Sequence, residues 1–284
     1  MNNIYQHVLK STFAMTLGVA AVSLPAFSYA QDATKPTIVL VHGAFADASS
    51  WDGVTTRLLA DGYKVVGAAN PLRGVKNDAS YVSGIVKSIP GPVLLVGHSY
   101  GGSVISEAAN GNDNVKGLVY VAAFAPEAGE TAIGLSSKFP GSTLGSALAQ
   151  PVPLADGGKD LYIDQTKFRQ QFAADVPASK ARLMAAAQRP VTEAAITEAS
   201  GEPAWKTLPS WFVYGKADKN IPEAALAYMA QRAHSQKTVA IPGASHVVMT
   251  SHPAEVSRLI ETAAQQSVRV TPVSYTHLTL PTKA

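Results

Sequence analysis

Six strand-length apolar runs punctuate the chain: "TIVLVHG" (37–43), "YKVVGAAN" (63–70), "GPVLLVGH" (91–98), "GLVYVAAF" (117–124), "SWFVYGKAD" (210–218) and "KTVAIPGASH" (237–246). Each is rich in β-branched residues and closes on a glycine, a polar residue or a turn residue. A strand with one wet face alternates apolar and polar positions; continuous apolarity means burial on both faces, as in a parallel sheet covered by helices. Helical patterns fill the gaps: "SSWDGVTTRLLADG", "DASYVSGIVKSI", "SYGGSVISEAANG", "PEAALAYMAQRAH" and "HPAEVSRLIETAAQ". Strand and helix in alternation predict an α/β fold with a mostly parallel central sheet flanked by helices.

One segment breaks this rhythm. Residues 126–209 contain no convincing buried strand, only the Gly/Pro/Ser-rich "GLSSKFPGSTLGSALAQPVPLADGGKD" and then a helical pattern from Asp164 to Ala199. An insertion at the carboxyl end of a parallel sheet lies where such sheets bind ligands, so it reads as a small helical lid.

The run at 91–98 ends in "GHSYGG". Ser99 stands two residues from Gly97 and two from Gly101, directly between an expected buried strand and an expected helix. A chain that turns so sharply has no room for side chains at the two flanking positions, and the turn holds the serine in a strained conformation that exposes Oγ. Ser99 is therefore the candidate nucleophile. The N–H of Tyr100, at the positive end of the following helix, points to where an oxyanion would form.

A serine hydroxyl needs a base, and the base needs an acid to hold its tautomer. Of the seven histidines, His42 and His98 abut glycines and read as packing residues, while His234 and His252 sit near helix ends. His7 and His277 fall in segments set apart below. His246, in "IPGASHVVM" after the last buried run, is the expected base. The acid is expected from the loop after the preceding run, where "FVYGKADKNIP" supplies Asp218 just before a helix-opening Pro222. Glu127 and Glu130, in "AFAPEAGE", are the rival acids.

These motifs, "LVHGAF", "VGHSYGG", "YGKADKNIP" and "GASHVVM" in this order, resemble the α/β-hydrolase superfamily. "HGAFADASSW" and the short lid are similar to its branch of small bacterial serine esterases related to plant methyl esterases and hydroxynitrile lyases. The resemblance implies Ser99 as nucleophile, Asp218 as acid and His246 as base. It also implies a second oxyanion donor after the His-Gly pair, with Phe45 favoured over Ala44. In the lyase branch a lysine follows the catalytic histidine; here Val247, Val248 and Met249 follow. The expected activity is hydrolysis of small, largely apolar carboxylic esters through an acyl-enzyme. A C–C lyase related to the hydroxynitrile lyases, or a non-catalytic binder of the same fold, is the alternative.

Composition narrows the picture further. At 284 residues and 15% charged, with no cysteine, the chain suits one domain without disulfides. Its net charge of +3 includes Lys10 and Lys283, and no Lys/Arg cluster stands out, so neither nucleic acid nor an anionic membrane is an expected partner. No metal-ligand spacing or phosphate-binding glycine loop occurs, so no cofactor is expected. Residues 1–30 read as a cleaved signal peptide: Lys10, an apolar stretch broken by Pro25, and small residues at Ser28 and Ala30 before Gln31. The expected location is periplasmic or secreted, with the hydrolase domain over residues 31–270. Residues 271–284, "TPVSYTHLTLPTKA", read as a doubtful, non-native tail.

Overall fold

The computed structural model describes residues 35–268. The expected signal peptide and the doubtful tail lie outside the described residues. In chain order the first half runs β1 (Thr37–Val41), α1 (Asp52–Ala60), β2 (Val65–Ala68), α2 (Val75–Lys87), β3 (Val93–His98), α3 (Tyr100–Ala108) and β4 (Val115–Val121). An insertion follows: α4 (Ala132–Ser137), α5 (Leu144–Ala147), β5 (Val152–Pro153), β6 (Lys159–Leu161), α6 (Gln165–Phe172), α7 (Ala178–Ala187), β7 (Val191–Thr192) and α8 (Glu193–Thr197). The chain then completes β8 (Ser210–Gly215), α9 (Glu223–Arg232), β9 (Lys237–Ile241), α10 (Val248–Ser251) and α11 (Pro253–Ser267).

All six apolar runs become strands of one sheet, ordered β2-β1-β3-β4-β8-β9, in which every neighbouring pair is parallel. Every residue of β1, β3 and β8 is buried. The edge strands depart from the expectation of burial on both faces: Gly67 of β2 and Lys237, Thr238 and Ala240 of β9 are exposed. Each edge has a neighbour on one side only, so helices cover it less completely. Helix α2 packs on α3 and α1 on α11, while α3 and α11 each lie across β3 and β4. In α11 the buried residues Val256, Leu259, Ile260, Ala263 and Ala264 recur at intervals of three and four, which makes one apolar stripe.

From β1 the chain steps outward to β2 and then crosses back over β1 to β3. The direction of strand order therefore reverses between β1 and β3, and such a reversal opens a crevice at the carboxyl ends of the two strands. The loop after β1 and the turn after β3 both empty into it.

The insertion leaves after β4 and returns in β8, its direct neighbour in the sheet. Two features of it correct the expectation from sequence. The helical pattern over residues 164–199 is three helices, broken at Pro177 and Pro190, where a ring replaces the N–H that a continuing helix requires. A three-stranded antiparallel sheet, β5-β6-β7, also lies within the stretch where no convincing buried strand was expected. Its strands are two or three residues long, too short to show a period.

Candidate active site

Ser99 occupies the turn between β3 and α3 with φ 53° and ψ −123°. For a non-glycine residue this conformation costs about 1–3 kcal/mol and persists only where the surroundings impose it. Here they do. Ser99 N–H donates to Val121 O at 3.2 Å, and Ser99 O accepts from Gly102 N–H at 3.0 Å and Phe124 N–H at 3.1 Å. A β-carbon on Gly97 would lie 2.6 Å from Gly101 O, and one on Gly101 would lie 2.6 Å from Val41 O. Both glycines are thus required by backbone meeting backbone. The loop after β1 also approaches closely, since a β-carbon on Gly43 would lie 2.6 Å from Cβ of Ser99.

Asp218 and His246 meet in the loops after β8 and β9, two and three strands from β3. Nδ1 of His246 lies 2.6 Å from Oδ2 of Asp218, and both side chains are completely buried. Asp218 Oδ1 accepts from the backbone N–H groups of Asn220 at 2.7 Å and Ile221 at 3.0 Å, so the whole carboxylate is held. The two loops are tied together by Lys216 N–H to Ile241 O and Ala217 N–H to Ala244 O, each at 3.0 Å. With Nδ1–H directed at the carboxylate, Nε2 carries the lone pair. Nε2 is buried and has no hydrogen-bond partner among the described residues.

His98, immediately before Ser99, connects the two halves of the site. Its ring centroid lies 4.8 Å from that of His246, and its Nε2 donates to His246 O at 3.2 Å. Burial, followed by the neighbouring His246, pushes the His98 imidazole well below its ordinary range, so it remains neutral.

A cavity of about 420 Å³ opens over Ser99. Ala44, Phe45 and Tyr100 form its floor beside the serine, and Ile133, Phe139, Leu144 and Leu148 of the insertion form much of its wall. Among the described residues lining it there is no Asp, Glu, Lys, Arg or His.

The sequence profile of the Alpha/beta hydrolase family matches residues 38–259. The chain belongs to that family. The hydrolase is 25% identical over 256 residues to "Alpha/beta hydrolase nvfD" of Aspergillus novofumigatus, covering 83% of this chain and 99% of the relative. Over 164 residues it is 31% identical to the "Pyrethroid hydrolase" of Sphingobium wenxiniae, covering 51% of this chain and 57% of the relative. The crystal structure of polyneuridine aldehyde esterase superposes with a TM-score of 0.70 at 18% identity, covering 81% of this chain and 99% of that one. This last likeness shows a shared fold.

Two expectations about the hydrolase change once its hydrogen bonds are traced. The favoured second oxyanion donor, Phe45, spends its N–H on Arg189 O at 3.0 Å, in the segment before β7. Ala44 N–H has no acceptor among the described residues and is the better candidate. Tyr100 N–H, at the first position of α3, faces no intrahelical acceptor. The rival acids are both committed elsewhere. Glu130 pairs with Arg232 at 2.5 Å; burial raises its carboxyl, but Arg232 and the Glu127 N–H outweigh that and hold it below the usual range. Glu127 pairs with Lys206.

The remaining histidines take structural places. His42 is buried with Nδ1 3.0 Å from Gly43 O, His234 is exposed just past α9, and His252 lies 3.3 Å from Asp175. His7 and His277 lie outside the described residues. One buried group beside the site was not anticipated: Asp78, without solvent exposure, accepts from Tyr100 Oη at 2.9 Å and from Arg73 N–H. A signal for it existed, because Asp78 lies on the apolar stripe Val75, Ala79, Val82 and Val86 of α2.

Proposed function

We propose that this hydrolase cleaves small, neutral, largely apolar carboxylic esters through an acyl-enzyme on Ser99. The observation that carries this reading is the buried Asp218–His246 pair, whose Nε2 is left without a partner beside the residue that precedes a strained serine. No hydrogen bond links Ser99 Oγ to His246 among the described residues; such contacts commonly tighten only when substrate is bound.

In the proposed cycle His246, oriented by Asp218, takes the Ser99 proton as Oγ attacks the ester carbonyl. The tetrahedral oxyanion receives hydrogen bonds from the N–H groups of Tyr100 and Ala44. The imidazolium then protonates the departing alcohol, which leaves the acyl group on Oγ. Water, deprotonated by the same histidine, attacks the acyl carbonyl, and collapse returns the proton to Ser99 and releases the acid. The uncharged cavity supports a neutral substrate, and the names of the similar esterase and hydrolases point to the same reaction class. Val247, Val248 and Met249, all buried, supply no cation after His246 for a departing cyanide, which weighs against the lyase reading.

The test is a graded series of p-nitrophenyl esters assayed with wild type and Ser99→Ala, together with mass spectrometry after exposure to an organophosphonate. The variant should lose turnover by roughly 10⁴-fold or more, and the phosphonyl adduct should map to Ser99. Equal turnover by both proteins overturns the proposal.

A further inference from the structure

The loops that carry Asp218, His246 and Ala44 leave three different strands, β8, β9 and β1, and one stretch of the insertion touches all three. Gln171, in the last turn of α6 and 6% exposed, donates from Nε2 to Lys219 O at 2.9 Å and to Asn220 Oδ1 at 2.8 Å in the acid loop. Phe172, next in sequence and wholly buried, lays its ring 5.1 Å from the His246 imidazole and 6.2 Å from the rings of both His98 and Phe45. Asp175 accepts from Oγ of Ser245, the residue before His246, and faces His252 Nε2 at 3.3 Å. Arg189 O accepts the Phe45 N–H at 3.0 Å.

A cover over bound substrate would be expected to present side chains to the cavity. Here that role falls to α4 and α5 and their flanks, which supply Ile133, Phe139, Leu144 and Leu148. Among the described lining residues none comes from 165–190. That stretch nevertheless directs a polar group at each of the three loops: the buried Gln171 side chain, the more exposed Asp175 carboxylate and the Arg189 carbonyl. A reacting constellation must be held within about 0.5 Å of its productive geometry, and a misplacement of about 1 Å can cost roughly 100-fold in rate.

We propose that the stretch from α6 to Arg189 forms a clamp that fixes the acid, histidine and oxyanion loops relative to one another. Gln171 and Asp175 are its positioning residues, and α4–α5 is the half of the insertion that meets substrate. This inference rests on the triad reading above.

The experiment compares Gln171→Ala, Asp175→Ala and Asp175→Asn with Ile133→Ala in the cavity wall and Lys159→Ala, whose exposed side chain pairs with Glu193 on the outside of the insertion. Steady-state kinetics, the rate of Ser99 phosphonylation and melting temperature are read for each, with rates taken far below the melting transition. Gln171→Ala and Asp175→Ala should lose about 10- to 100-fold in kcat and in phosphonylation rate, with KM nearly unchanged. Asp175→Asn should regain most of that loss, because its amide oxygen still accepts from Ser245. Ile133→Ala should shift KM and chain-length preference while keeping kcat, and Lys159→Ala should match wild type.

The clamp is overturned if Gln171→Ala, which retains most of the packing even should Asp175→Ala fail to fold, lowers only the melting temperature or raises only KM, or if Asp175→Asn loses as much kcat as Asp175→Ala. Wild type that is not phosphonylated at Ser99 would instead remove the triad reading, and the clamp with it.

Discussion

Nδ1 of His246 and Oδ2 of Asp218 lie 2.6 Å apart, with neither side chain reaching solvent. In the proposed cycle the carboxylate holds one ring tautomer and stabilises the imidazolium that forms during attack. Asp218→Asn preserves size and the Oδ1 contacts to Asn220 and Ile221, yet its amide can donate to Nδ1 and invert the tautomer. Turnover of a p-nitrophenyl ester should fall by about 10³- to 10⁴-fold, with the melting temperature close to wild type.

Gly101 tests the turn itself. Its added β-carbon would lie 2.6 Å from Val41 O and 3.0 Å from His42 O, and neither backbone atom can move without shifting the end of β1. Gly101→Ala should destabilise the fold by about 1–3 kcal/mol, the range for overpacking a tight interior. Urea denaturation reads the stability, and activity should fall further than stability predicts because the displaced turn carries Ser99.

Stability should decline below neutral pH. Burial lowers the pKa of both His42 and His98, in His98 by a large margin. The unfolded chain then binds protons from about pH 6.5 downward, and the folded chain binds them at these sites only at lower pH. The contribution present above pH 6.5 is therefore lost as pH falls, at up to about 1.4 kcal/mol per pH unit for His98 and over a narrower range for His42. Asp78 and Glu107, whose carboxyls burial raises, act in the opposite sense. Comparing wild type with His42→Gln/His98→Gln isolates the histidine part; the double variant should show the shallower decline from pH 6.5 to 5.

How much of this was legible beforehand depended on where the physics is local. Burial on both faces writes itself as unbroken apolarity in the inner strands β1, β3, β4 and β8, while the edge strands β2 and β9 were legible as β-branched runs although their exposed positions were not. The turn at Ser99 could be read because Gly97 and Gly101 answer to backbone atoms only a few residues or one strand away. Asp218 and His246 followed from their places after consecutive strands. The oxyanion donor could not be read in the same way. A backbone N–H leaves no mark in residue type, and what occupies that of Phe45 is a carbonyl at position 189, brought there by the insertion. Gln171 and Asp175 were invisible for the same reason: they are ordinary polar residues on a helix and a turn until the fold sets them against the loops at 219–220 and 245.

The leader expected over residues 1–30 also has a direct test. Protein recovered from a bacterial periplasm should begin at Gln31 by intact-mass measurement, one residue past the small pair Ser28 and Ala30. Recovery from the cytosol with Met1 retained would refute export.

Among the described residues none around the chamber over Ser99 is ionised, which bears on how a catalytic round ends. In the proposed reaction a neutral molecule enters and an anion forms, and an apolar enclosure that welcomed the first solvates the second poorly. Departure of the acid is thus favoured by the same walls that admitted its parent, so the free carboxylate should make a weak competitor for the vacated enzyme.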